Sequence, residues 1–289
     1  MNAPQTMNAP HFIVVGAHKA GTTSLHHYLN QHPDIFLPSV KGADLLCQHA
    51  ITELENAGDY LAQFDAAETG QMCGEVSSVY LHAGKPITEK IKRLFPTVKI
   101  IAMLRNPIDR TYSHALWARS YAPDEVPHLD ELILNSKKFL SPGLYATHLK
   151  QYFSCFGRDH IKLIRYDDFQ NSSSHVITEL YRFIGVDDTF TPDMSRRHHS
   201  GTLKLSNSYN SLLKTRASVS PVLKALIPKP IRGTIRNALY RKSHAPKPLM
   251  SRQLRVELVN YFRDEIMELK ELTNLDVSHW LDLPEPSEA

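Results

Sequence analysis

The stretch Gly16-Ala-His-Lys19-Ala-Gly21-Thr22-Thr23-Ser24 constrains this chain more than any other part of its sequence. The apolar run His11-Phe-Ile-Val-Val15 before it predicts a buried strand. Thr22 to His32 after it predicts a helix, with Leu25, Tyr28 and Leu29 on one face and Pro33 beyond its end. Glycine lets a backbone turn tightly and come close to a ligand. The start of a helix offers free N–H groups and the positive end of a dipole, a combination that suits phosphate. Thr22, Thr23 and Ser24 add hydroxyl donors at that point.

The rest of the chain continues the alternation. Met72 to Glu75 is a weaker strand candidate, and Val98 to Leu104 and His160 to Arg165 are stronger ones. Helical spacing of apolar residues covers Pro86 to Phe95, Pro107 to Ser120, Leu144 to Phe156, His175 to Ile184 and Gln253 to Leu272. Apolar strands alternating with helices predict an α/β fold: a P-loop-type parallel sheet flanked by helices, with a basic, mostly helical C-terminal extension. At 289 residues the chain fits one large domain. We expect a floppy lead over 1–10 and a single domain over 11–289. Within that domain, 11–193 would form the nucleotide-binding core, 194–252 a basic segment, and 253–283 a terminal helix that packs back on the core.

The formal net charge of +3 hides an uneven distribution. Between Met194 and Val256 there are 14 Lys and Arg and no Asp or Glu, while the remainder carries 19 basic and all 30 acidic residues. Apolar clusters from Leu212 to Leu239 alternate with those cations. Three readings fit the segment: a lid that attracts an anionic acceptor, a basic surface over 212–242 resting on anionic lipid, or a solvated hairpin packed on the core. No nucleic-acid module is recognisable, so nucleic acid is not an expected partner. No run is long and apolar enough for a membrane span, and Met1 to Pro10 lacks the pattern of a signal peptide. Cys47, Cys73 and Cys155 lie far apart without metal-ligand spacing, and the 16 histidines form no zinc template. Reduced cysteines acting as small core residues, a cytoplasmic location, peripheral to a membrane at most, and no metal are the expectations.

The loop is similar to the Walker loop of nucleotide triphosphatases, but Thr22 stands where that loop has its Lys, and Lys19 lies in mid-loop. Magnesium-assisted phosphoryl transfer is therefore the weaker alternative, a P-loop kinase. A mid-loop Lys is suited to stabilising charge on a leaving oxygen. A second element is the strand that ends in Arg105 and continues Asn-Pro-Ile-Asp-Arg110-Thr-Tyr-Ser113. An Arg at the carboxyl end of such a strand faces the ligand crevice of an open α/β sheet. Together the two motifs resemble those of sulfotransferases that use 3′-phosphoadenosine-5′-phosphosulfate (PAPS). Gly74-Glu75 followed by Tyr80, and Pro142-Gly-Leu-Tyr-Ala-Thr-His-Leu149, add to the likeness, the latter toward the heparan sulfate N-sulfotransferase branch. The resemblance implies transfer of a sulfuryl group from PAPS to a hydroxyl or amine, on a saccharide or glycoconjugate. It implies that His18, Lys19, Ala20, Gly21, Thr22, Thr23 and Ser24 form the 5′-phosphosulfate loop. It further implies that Arg105 and Ser113 hold the 3′-phosphate, and that Lys204 reaches the nucleotide from a basic loop.

Sulfuryl transfer also needs a group to take the acceptor's proton. Polysaccharide-type relatives carry a Glu after the first helix, where this chain has Gly42 in Lys41-Gly42-Ala-Asp44-Leu-Leu46. Asp44 and Glu75 are the two candidate bases; His18, within the loop, either titrates near neutral pH or only lines the site. The missing Glu leaves open a non-catalytic alternative, a PAPS- or PAP-binding protein at a membrane or polyanion surface. Arg110 is either a helix-face ion pair or a ligand contact.

Overall fold

The computed structural model describes residues 8–39, 41–42, 44–47, 53, 57–119, 129–195, 202–204, 244–246 and 248–283. The elements run β1 (Phe12–Gly16), α1 (Thr22–Leu29), β2 (Ile35–Phe36), α2 (Gly58–Leu61), β3 (Met72–Val76), α3 (Lys85–Leu94), β4 (Lys99–Leu104) and α4 (Pro107–Arg119). They continue α5 (Leu129–Leu134), α6 (Lys137–Leu140), α7 (Tyr145–Phe156), β5 (Ile161–Arg165), α8 (Tyr166–Asn171) and α9 (Ser173–Ile184). Last come β6 (Thr202–Lys204), β7 (His244–Pro246) and α10 (Arg252–Thr273).

Strands β1 to β5 form one parallel sheet in the order β2-β3-β1-β4-β5. Every residue of β1 is buried, as is every residue of β4 except Lys99, because helices cover both faces. Lys99 keeps its charge satisfied by donating to the carbonyls of Phe183 and Ile184 at the end of α9. β1 is central, and the chain passes from β3 across it to β4. The strand order therefore reverses at the β1–β4 boundary, which opens a crevice outside the carboxyl ends of these two strands. Gly16 is the last residue of β1, and Arg105 follows directly on β4.

The packing of the sheet is tight. Gly74 pairs with Phe12, and a Cβ at Gly74 would lie 2.1 Å from the Phe12 ring, so only glycine fits beneath that side chain. α10 buries Leu254, Leu258, Val259, Phe262, Ile266 and Leu269 against the core. Its solvent edge is held by an Arg255–Asp109 ion pair at 2.9 Å and by Glu265, which accepts from the Thr147 amide and hydroxyl. Trp280, 1% exposed, closes the terminal segment by donating to Asp167 at 3.0 Å.

The expected strands and helices are present with ends shifted by one to three residues. The two-residue edge strand β2 and the short helices α2, α5 and α6 lie outside the sequence pattern. Cys73 is buried, but Cys47 is exposed on a short 3-10 turn and is not a core residue. β6 and β7 pair antiparallel, Lys204 opposite His244, and so bring together the two ends of the stretch between them. The basic stretch 212–242 and the side chain of Lys204 lie outside the described residues. Among the described residues no helix is long and apolar enough to cross a membrane.

Candidate functional site

The loop after β1 is held open from below. The Ala17 amide donates to the Met103 carbonyl on β4 at 2.8 Å, which ties the turn to the neighbouring strand. Lys19 and Gly21 both take positive φ, 68° and 94°, before α1 starts at Thr22. At Gly21 a side chain is excluded twice: by that backbone, and because a Cβ would lie 2.8 Å from the ring of Tyr166. Thr22 and Ser24 are buried at the head of α1, while Thr23 is exposed.

Arg105 meets this loop directly. Its Nη1 donates to the Lys19 carbonyl at 3.1 Å, and its guanidinium lies 5.1 Å from the centre of the Tyr166 ring. The two sequence motifs, 86 residues apart, thus form one surface. Ser113 is half-buried on α4, two turns beyond the end of β4. Lys19 Nζ lies 5.7 Å over the Trp117 ring of the same helix.

Lys41 joins the site, and it was missed in the sequence. Its Nζ donates to Thr23 Oγ1 at 2.9 Å and to Thr22 Oγ1 at 3.1 Å. Burial pulls its ammonium down to about 8, partly offset by the nearby Asp44 carboxylate. Only its position beside Gly42, where a Glu was expected, could have drawn attention to it.

The two candidate bases differ sharply in setting. Asp44, half-buried, accepts from the Ser77 hydroxyl at 2.7 Å. Glu75 is 5% exposed, with Tyr80 donating to Oε1 at 2.7 Å and Tyr60 to Oε2 at 2.8 Å. Burial pushes its carboxyl up to about 7, against the two hydrogen bonds that favour the charged form. The Tyr80 hydroxyl also accepts from the Leu46 amide at 3.3 Å, so Glu75 braces the turn that carries Asp44.

Arg110 is neither of the things expected of it. It is fully buried in α4 and donates to Phe139 O and to Thr111 Oγ1, with no carboxylate partner among the described residues. Its charge, after burial itself, lowers the nearby histidines. His18 falls to about 2 through burial, then through His114, Lys19 and Arg110. His114 falls to about 3 and His82 to about 4, again through burial first. His18 and His114 touch edge to face, with ring centres 4.4 Å apart. All three imidazoles line a cavity of about 530 Å³ beside the loop. Among the described residues no group of three or more His, Cys, Asp or Glu could hold a metal ion.

Lys19, Lys41 and Arg105 stand beside the hydroxyls of Thr22, Thr23 and Ser24 at the start of α1, an arrangement whose charge and donors suit a polyanion. The family model described as "Sulfotransferase domain" matches residues 9–209. A mouse protein named bifunctional heparan sulfate N-deacetylase/N-sulfotransferase 4 is 25% identical over 96% of this chain and 31% of its own length. The membrane-associated sulfotransferase kil1 of Dictyostelium discoideum is 34% identical over 36% of this chain and 22% of its own. The chain thus spans less than a third of the length of these curated relatives. A crystallised sulfotransferase from Alicyclobacillus acidocaldarius superposes with a TM-score of 0.67 at 25% identity, covering 95% of this chain and all of that one.

Proposed function

The chain belongs to the sulfotransferase family, and from that premise we propose that it moves a sulfuryl group from PAPS to a hydroxyl or amine of a saccharide or glycoconjugate. The observation that carries the donor assignment is the Arg105–Lys19 hydrogen bond, which unites the strand-end Arg and the mid-loop Lys in one surface. The loop amides and the hydroxyls of Thr22, Thr23 and Ser24 would hold the 5′-phosphosulfate, with His18 and Ala20 completing the turn. Arg105 and Ser113 would hold the 3′-phosphate, the group that separates this nucleotide from ADP. Lys204 would close over it from β6. The saccharide is supported by the N-sulfotransferase relatives, whose named substrate is heparan sulfate.

The residues then divide the chemistry. Lys19 stabilises the negative charge that grows on the departing phosphate. Lys41, bonded to Thr22 and Thr23, brings a second positive charge to the loop. Of the two carboxylates, Asp44 is the one open to an acceptor proton, because both Glu75 oxygens are already occupied in the interior. Glu75 serves as a brace for the Asp44 turn through Tyr80 and the Leu46 amide.

The test is transfer of label from radiolabelled PAPS to glucosamine-containing oligosaccharides by the full chain. Labelled product is expected from the wild type, with Lys19→Ala reduced by on the order of a hundredfold or more, as for loss of a transition-state donor. PAP binding without transfer to any oligosaccharide in the panel would favour the non-catalytic alternative.

A further inference from the structure

We propose that Trp280, on the C-terminal 3-10 turn Ser278–Leu281, is a positioning residue for the 3′-phosphate, acting through Asp167 and Asn106 on Tyr166 and Arg105. The proposal rests on the donor assignment above. The Arg105 guanidinium sits at the end of a flexible stem, and freezing such a stem on binding costs side-chain entropy. A group already held in its binding pose avoids that cost. Two contacts hold Arg105: its bond to the Lys19 carbonyl and the Tyr166 ring, 5.1 Å from the guanidinium. Tyr166 must itself be held. It is the first residue of α8, a helix of 6 residues that directly follows β5. So short a helix has little stability of its own.

The C-terminal turn supplies the hold. Trp280 Nε1 donates to Asp167 Oδ2 at 3.0 Å, and His279 Nε2 lies 3.2 Å from the same oxygen. Arg165, the last residue of β5, grips Asp168 with Nε and Nη2 at 2.8 and 2.7 Å. Its Nη1 donates to the Asp276 carbonyl at 2.6 Å, which fixes the first turn of α8 a second time. On the other side, the Trp280 carbonyl accepts from Asn106 Nδ2 at 3.3 Å. Asn106 Oδ1 accepts from the Ile108 amide at 2.9 Å and so caps the start of α4. One residue thus ties the position after Arg105 to the position after Tyr166. The place of Trp280 is set by the core, since its ring is buried and meets Tyr145 edge to face with centres 6.4 Å apart.

The test is calorimetric titration of the full chain with PAP and with ADP, which differ by the 3′-phosphate that Arg105 is assigned. Trp280→Phe/His279→Ala removes both donors to Asp167 and keeps an aromatic ring in the core. Asp167→Ala removes the acceptor from a partly exposed site, where folding is not at stake. Asp167→Asn removes the same charge but keeps an acceptor for the indole N–H. In the double variant and in Asp167→Ala the preference for PAP over ADP is expected to fall by about fivefold or more, with ADP affinity within about twofold of wild type. Asp167→Asn is expected to keep the wild-type preference. A preference retained in both the double variant and Asp167→Ala, or an equal loss of PAP and ADP binding, would overturn the proposal, because a merely structural role does not discriminate the two nucleotides. A loss in Asp167→Asn equal to that in Asp167→Ala would overturn it as well, by assigning the effect to charge. A wild-type chain with no preference for PAP refutes the donor assignment and the proposal with it, whereas a preference that the variants keep refutes the proposal alone.

Discussion

Replacing Glu75 by Gln tests the interior brace under the Asp44 turn. The Glu75 carboxyl stands at about 7 against an ordinary 4.5, chiefly because burial disfavours its charge. That difference corresponds to about 3 kcal/mol between its two protonation states. The folded-state value is raised, so the contribution is fully present below the unfolded value. It is lost as pH rises through about 7. Gln keeps an acceptor for one tyrosine and a donor for the other, and it does not titrate. The stability gap between wild type and Glu75→Gln should therefore shift by about 3 kcal/mol against the wild type from about pH 4 to about pH 8. Urea denaturation of both proteins at steps across this range measures it. A gap that stays constant with pH would refute the claim that burial dominates the Glu75 environment.

Other substitutions probe the site and its support. Gly21→Ala combines a positive φ with a clash on Tyr166, and should cost about 2–4 kcal/mol by thermal or urea unfolding. It should also weaken PAP binding, because Tyr166 carries the Arg105 guanidinium. Gly74→Ala should prevent stable folding, since its Cβ falls on the Phe12 ring, and Phe12→Leu in the same chain should restore part of the loss. Lys41→Met should weaken PAP binding by about tenfold to a hundredfold in calorimetry, the value of a lost charge-assisted hydrogen bond. With Lys41 at about 8, wild-type affinity should fall as pH rises past that value, and the fall should vanish in the variant.

The sheet was legible in the sequence because its strands are short, apolar and closed by glycine or Arg. Phe12 to Val15 and Ile100 to Leu104 are buried on both faces, and they read as such in one dimension. β2 was not legible, because two residues carry no period and its strand character comes only from pairing with β3. The loop and Arg105 were legible as motifs, but the bond between them was not. Lys41, His82 and Trp117 escaped because each gains its place only through contacts across the fold. Arg110 reads in sequence either as a helix-face ion pair or as a ligand contact. Only the packing of Phe139 and Thr111 around it shows that it is interior. Asp44 and Glu75 could not be separated in sequence, because only the folded chain puts two tyrosines on one and solvent beside the other.

The central claim is that Arg105 and the loop together recognise a nucleotide with a 3′-phosphate. Calorimetric titration of the full chain with PAP and with ADP measures that recognition directly. PAP is expected to bind about tenfold to a hundredfold more tightly than ADP, and Arg105→Ala to remove most of the difference while leaving ADP little changed. Equal affinity for PAP and ADP in the wild type, or a preference that persists in Arg105→Ala, would contradict it.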